Sequence, residues 1–99
     1  MKYYIAQSVM TEPLPVSAEE LERVYLPAHA DHVRRGTESG TVLLGGPNEL
    51  GGGFLVLRAE SRAALDAFLA ADPLQVHGLN RFVVTEFFPK DRSAAVQDW

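Results

Sequence analysis

The apolar positions of this chain fall into short, almost unbroken runs, separated by two stretches with helical spacing. Lys2 to Val9 carries Tyr3, Tyr4, Ile5, Ala6 and Val9, a β-prone and mostly apolar set that predicts a buried first strand. Pro13 and Pro15 exclude a strand from Thr11 to Val16, so a loop follows. Ser17 and Glu20 form a capping box, each side chain placed to satisfy the other's backbone amide at a helix start. Leu21, Val24 and Tyr25 then share one helical face. Pro27 has no amide proton and its ring crowds the preceding turn, which predicts a kink or a fresh start there. The helix runs to about Ser39 and stops at Gly40, a natural left-handed cap. Gly36 inside it weakens the helix by roughly 1 kcal/mol relative to Ala, which implies a close helix contact or an earlier end.

Thr41 to Leu44 is a short apolar strand followed by Gly45-Gly46-Pro47, and Asn48 to Gly53 is a glycine-rich connection. Phe54 to Leu57 is again apolar, with Arg58 to Glu60 leading out, and so short a link predicts an antiparallel hairpin. Ser61 caps a second helix with Ala64, Leu65, Phe68 and Leu69 on its inner face. Asp72-Pro73 stops it, because a residue before proline is pushed out of the α region. Leu74 to Gly78 is a turn or short helical segment, and Leu79 to Phe88 is the last strand, ended by Pro89. Lys90 to Trp99 shows no periodicity.

The order β-α-β-β-α-β is the ferredoxin-like α+β pattern, a four-stranded antiparallel sheet with two helices on one face. It makes a single domain over residues 1–90 and a tail over 91–99. A sheet with one wet face should alternate apolar and polar residues. Val42-Leu43-Leu44, Phe54 to Leu57 and Phe82-Val83-Val84 do not. Both faces therefore want burial, and the simplest partner is a second copy, a homodimer packed through the sheet face. A ligand cavity on the uncovered face is the competing explanation.

The chain has 99 residues, 46% of them hydrophobic, and a net charge of −4. Without clustered Lys and Arg it is not suited to nucleic acid, since phosphate contacts need them; Arg34-Arg35 reads as a solvated helix face. It has no cysteine, hence no disulfide, thiol catalysis or Cys-based zinc site. No apolar run reaches the roughly 20 residues of a membrane helix. Met1 to Ala6 enters a strand pattern directly, with no signal-like apolar segment. A cytoplasmic protein is the expectation.

His29 and His32 are three residues apart and share a helical face. With Asp31 beside them they suggest a metal site, but the ligand count falls short and no metal or other cofactor is expected. His77 reads as a surface residue. Asp72, where a helix ends, can cap the segment that follows or accept a proton from one ring nitrogen of His29, fixing its tautomer and leaving the other nitrogen as a base. Gly45-Gly46 and Gly51 to Gly53 match no phosphate-binding fingerprint and read as turns.

Pro27-Ala28-His29, then Gly40, Leu43, Leu44 and Gly46-Pro47, then Asp72-Pro73 after an Ala-rich helix, Gly78 and a strand ending Phe87-Phe88-Pro89, together resemble the YCII-related (YciI-like) family. The likeness spans Met1 to about Lys90. It implies a dimeric α+β barrel of ferredoxin-like subunits and a His–Asp active site, which carries over to His29 and Asp72. One branch of the family is similar to dehydrochlorinases acting on chlorinated hydroxyquinols, and the wider barrel superfamily includes muconolactone isomerases and small monooxygenases. The chain departs from the pattern in the two extra prolines of the Thr11–Ala18 loop, in His32, and in a tail ending at Trp99.

The reading that emerges is a small cofactor-independent lyase or isomerase acting on a small organic molecule, with His29 as general acid/base and Asp72 orienting it. Tyr3, Tyr4, His32 and Arg81 are further candidates for substrate contacts. The alternative is a non-catalytic barrel that binds a small ligand or serves as an accessory subunit, with a purely structural His–Asp pair. An open ring nitrogen in a reachable cavity favours the first reading, and two satisfied nitrogens the second.

Overall fold

The computed structural model describes all of Met1–Trp99. Strands β1 (Lys2–Met10), β2 (Val42–Pro47), β3 (Gly53–Ala59) and β4 (Asn80–Phe87) form one antiparallel sheet in the order β2-β3-β1-β4. β1 runs one residue past its predicted end, β2 starts at Val42 and continues through Gly45-Gly46-Pro47, β3 gains Gly53 before and Arg58 and Ala59 after its apolar run, and β4 stops one residue short at each end. Between β1 and β2 the chain is helical from α1 (Ala18–Glu20) through Leu21–Tyr25 to α2 (Leu26–Ser39). Helix α3 (Arg62–Ala70) and the short α4 (Pro73–Val76) connect β3 to β4.

Local chemistry sets most of these boundaries. Ser17 Oγ accepts from the Glu20 amide at 3.1 Å, and Ser61 Oγ accepts from the Ala64 amide at the same distance. The Pro27 discontinuity takes the form of a wider, π-helical turn over Leu21–Tyr25, in which the Leu26 amide donates to the Leu21 carbonyl. Proline offers no amide to the carbonyl four residues back, so the extra residue is absorbed just upstream, and Pro27 itself sits in the first turn of α2. The helix ends at Gly40 with φ 85°, and Arg58 Nε donates to the Gly40 carbonyl at 2.9 Å, tying the cap to β3.

The core lies between the sheet and the helices. Tyr4 and Ala6 from β1, Val42 from β2, and Leu55, Leu57 and Ala59 from β3 meet Leu65 and Leu69 from α3. Burying a leucine such as Leu57 or Leu65 contributes about 1.5–3 kcal/mol. Of the four residues predicted for the inner face of α3, Leu65 and Leu69 are buried and Phe68 is half-buried, but Ala64 is exposed. The helix is rolled so that Phe68, not Ala64, reaches α2. The close contact implied by Gly36 is the reason: a Cβ there would lie 2.7 Å from Phe68 Cζ and 2.8 Å from Val42 Cγ2. Only a bare glycine lets α2 approach β2 and α3 this closely.

The opposite face of the sheet carries Ile5, Leu44, Phe54 and Val83, all exposed to solvent in the single chain. The tail, which shows no periodicity in sequence, folds against one end of this face. A short 3₁₀ turn at Ala94–Val96 brings Trp99 to Tyr3, whose Oη donates to the Trp99 carbonyl at 2.9 Å. The Arg58 guanidinium stacks 4.9 Å above the Trp99 ring. No helix is long and apolar enough to cross a membrane.

Candidate active site

Asp72 is fixed by the chain break that proline enforces. Ahead of Pro73 its backbone is extended, φ −62° and ψ 128°, and Oδ1 accepts from the Leu74 amide at 2.9 Å, capping α4. Both roles available to Asp72 are therefore filled at once, because the second oxygen, Oδ2, accepts from His29 Nδ1 at 2.6 Å. The carboxylate is 1% exposed and the imidazole 26%. His29 reaches it from the first turns of α2, placed there by the π-helical turn and Pro27. The ring thus has one nitrogen held in the protein interior. The other, Nε2, makes no hydrogen bond within the chain.

An ionised Asp72 fixes the proton on Nδ1 and leaves the lone pair on Nε2, the form a general base requires. His29 lines a cavity of about 700 Å³ between α2, the β2–β3 connection and the helix-side face of the sheet. Its walls are mostly apolar, from Leu26 and Val33 on α2, Leu55 and Phe82 on the sheet, and Leu74 on α4. Ser8 and Asn48 supply polar groups, and the glycines at 45, 46 and 51–53 supply bare backbone. Gly52 is tightly placed: a Cβ there would lie 2.0 Å from the Ser8 carbonyl, so the loop can close over β1 only as glycine. Gly45-Gly46-Pro47, expected from sequence to be a turn, is instead the end of β2, its backbone paired with Leu55, Phe54 and Gly53, whereas Gly51 and Gly52 do turn the chain into β3. Both stretches wall the cavity.

Arg34 stands at the rim, pinned between Asp31 and Glu38, with 2.6 Å to Glu38 Oε1. Its hydrogen bond to Asp31 holds that carboxyl below the usual aspartate range, and the two carboxylates raise the guanidinium above its own. These groups are solvent-screened and add little to stability.

The other sequence candidates do not line this cavity. Tyr3 lies on the opposite face of the sheet beneath Trp99 and Phe87. Tyr4 is in the core, its hydroxyl buried without a partner. His32 donates from Nε2 to the Phe68 carbonyl at 2.9 Å and stacks on the Phe68 ring, so it fastens α2 to α3. Arg81 is exposed on the open face of β4, opposite Val9. His77 is exposed beside Tyr25, ring centroids 5.0 Å apart. No three His, Cys, Asp or Glu side chains converge as a metal-ligand set. Ser8 is not marked by the hydrophobic pattern, and Phe82 is marked only as part of the last strand's apolar run, not as a cavity residue. Ser8 follows Tyr4 and Ala6 at strand spacing, which puts it on their helix-side face.

The YCII-related domain family matches residues 1–88, all four strands and both members of the His29–Asp72 pair included. Among proteins with curated descriptions, none matches the chain by sequence. Among solved structures, the chain is similar to a 5-chloro-2-hydroxyhydroquinone dehydrochlorinase from Burkholderia phenoliruptrix, in complex with 2,5-dihydroxybenzoquinone. The TM-score is 0.63 at 19% identity, over 87% of this chain and 93% of the other. That likeness is one of fold.

Proposed function

The chain belongs to the YCII-related family, and from that premise we propose that it is a small-molecule enzyme, a cofactor-independent lyase or isomerase of the dehydrochlorinase kind. His29 is its general acid/base and Asp72 the residue that positions it. The observation that carries this reading is the 2.6 Å bond from Nδ1 to a buried carboxylate, with Nε2 left unbonded on a ring that lines a roomy cavity. The unbonded Nε2 favours catalysis over an accessory barrel, in which both nitrogens would be satisfied. Removal of HCl from a chlorinated hydroxyquinol requires one hydroxyl proton to move to the chlorine-bearing carbon, after which a second hydroxyl proton is taken and chloride leaves with its bonding pair. The carbon–chlorine bond is itself the internal oxidant, so the ring reaches the quinone level with no redox cofactor. Nε2 supplies the base for the proton that is taken. Apolar walls of Val33, Leu55 and Phe82 suit a flat ring and exclude the water that would weaken its contacts. The test is chloride release from chlorinated hydroxyquinols, followed with an ion-selective electrode. No release from any member of the series, with the folded protein in excess, removes the dehydrochlorinase reading.

The second part of the proposal is a cytoplasmic homodimer packed through the open sheet face. Ile5, Leu44, Phe54 and Val83 lie exposed there, and stable interfaces of this kind bury about 1,200–2,000 Å² in total. Light scattering on the purified protein should give about twice the 10.9 kDa of one chain. Ile5→Glu with Val83→Glu should give the single-chain mass, because four like charges would face one another across the seam. A double variant that still runs as a dimer places the interface elsewhere.

A further inference from the structure

A second polar feature in the cavity is not used by the His29–Asp72 pair. Ser8 lies near the end of the inner strand β1, on the helix side of the sheet, paired with Gly53 on β3 and Phe82 on β4. It is 7% exposed and lines the same cavity as His29. Asn80, at the start of β4 and 4% exposed, donates from Nδ2 to Ser8 Oγ at 2.8 Å. That is the only hydrogen bond at the Ser8 hydroxyl. One of its two lone pairs is taken, and its proton has no hydrogen-bond acceptor in the chain. Asn80 Oδ1, the obvious acceptor for a purely structural pair, is itself buried without a partner. A hydroxyl in apolar surroundings normally finds an acceptor, because leaving one unmade costs its full desolvation. Here the neighbours that share the cavity wall, Leu55, Phe82 and Met10, carry no side-chain oxygen or nitrogen to accept it.

We infer that Ser8, oriented by Asn80, is the hydrogen-bond donor that anchors an oxygen atom of the ligand, a carbonyl, phenolate or carboxylate oxygen, on the sheet wall of the cavity. The inference rests on the reading of that cavity as a substrate site and narrows the ligand to one with an acceptor oxygen on the side it turns to the sheet. His29 approaches from α2 and Ser8 from β1, so the ligand is held between a donor and a base on opposite walls. The residue touches the ligand; Asn80 acts only through it.

Calorimetric titration of the full chain with 2,5-dihydroxybenzoquinone, phenol and benzoate tests this, using the wild type, Ser8→Ala and Ser8→Thr. A hydrogen bond to a charged acceptor is worth about 10- to 100-fold in affinity, so Ser8→Ala should weaken binding of the anionic probes by that factor. Ser8→Thr restores the hydroxyl and should bind within a few-fold of wild type. Equal binding by wild type and Ser8→Ala overturns the inference and leaves the proposed function standing. Equal weakening in both variants also overturns it, since the effect is then packing. If the quinone does not bind but phenol or benzoate binds in a Ser8-dependent way, the anchor stands and the quinone-type substrate falls. If the wild type binds none of the three, both fall.

Discussion

Replacing His29 with alanine should lower turnover by about 10²- to 10⁴-fold, the usual contribution of one positioned acid/base, while the protein stays folded. The imidazole is partly exposed and its only bond in the protein is to Asp72. Truncation therefore opens space at the cavity wall without removing core packing. The cost to folding comes from Asp72, whose buried Oδ2 loses its donor; leaving a buried acceptor unmade costs about 1–3 kcal/mol, with water entering the enlarged cavity to offset part of it. The decisive comparison is between rate and stability. Chloride release from a chlorinated hydroxyquinol should collapse at saturating substrate, whereas thermal unfolding should move by only a few degrees. Retention of more than a tenth of wild-type turnover in a folded His29→Ala protein would remove the general-base assignment.

Most of the fold was legible because it is written in local chemistry. Ser17 with Glu20, Ser61, Gly40 and Asp72-Pro73 each act within three residues of themselves, and each marks an element boundary in the structure as in the sequence. The form of the Pro27 discontinuity was not legible, since a kink, a restart and a wider turn all answer the same missing amide. The roll of α3 was not legible either: helical spacing admits both Ala64 and Phe68 to the inner stripe, and the space left by Gly36 on another helix chooses between them. The site divides along the same line. His29 and Asp72 stand 43 residues apart, and what joins them is the packing of α2 on α4, which periodicity does not encode. Polar character alone could not sort the remaining candidates. His32 is spent on the Phe68 carbonyl and Tyr3 on the Trp99 carbonyl, while Tyr4 sits in the core and Arg81 on the open face of the sheet. Ser8 lines the cavity although its type draws no notice: strand spacing gives it the face of Tyr4 and Ala6, but only the packing of α2 and the β2–β3 connection over that face makes it a cavity wall.

Asp72→Asn should be nearly as damaging to turnover as loss of the histidine, and for a different reason. The carboxylate does two jobs with two oxygens: Oδ1 accepts from the Leu74 amide and Oδ2 accepts from His29 Nδ1. An asparagine in the same rotamer keeps the first, since its amide oxygen can still cap α4, and asparagine caps helices about as well as aspartate. It then presents an NH₂ group to His29. Two donors cannot face each other, so the imidazole gives up its Nδ1 proton and carries one on Nε2 instead. The nitrogen facing the substrate is then the wrong tautomer for a base. Turnover should fall by about 10²-fold or more, with little change in stability beyond the loss of a charge-assisted bond, about 1–2 kcal/mol. Asp72→Ala removes both bonds, leaves the Leu74 amide and His29 unpaired, and should lose a further 0.5–2 kcal/mol from the missing cap. Nitrogen-15 NMR of the ring distinguishes the cases directly: His29 should report a proton on Nδ1 in the wild type and on Nε2 in Asp72→Asn. Pairing the substitutions completes the argument. If Asp72 acts only by orienting His29, adding Asp72→Asn to His29→Ala should cost no further activity, because there is no ring left to orient. A fully additive double variant would mean that Asp72 serves the reaction by another route, and the pair would no longer be a catalytic unit.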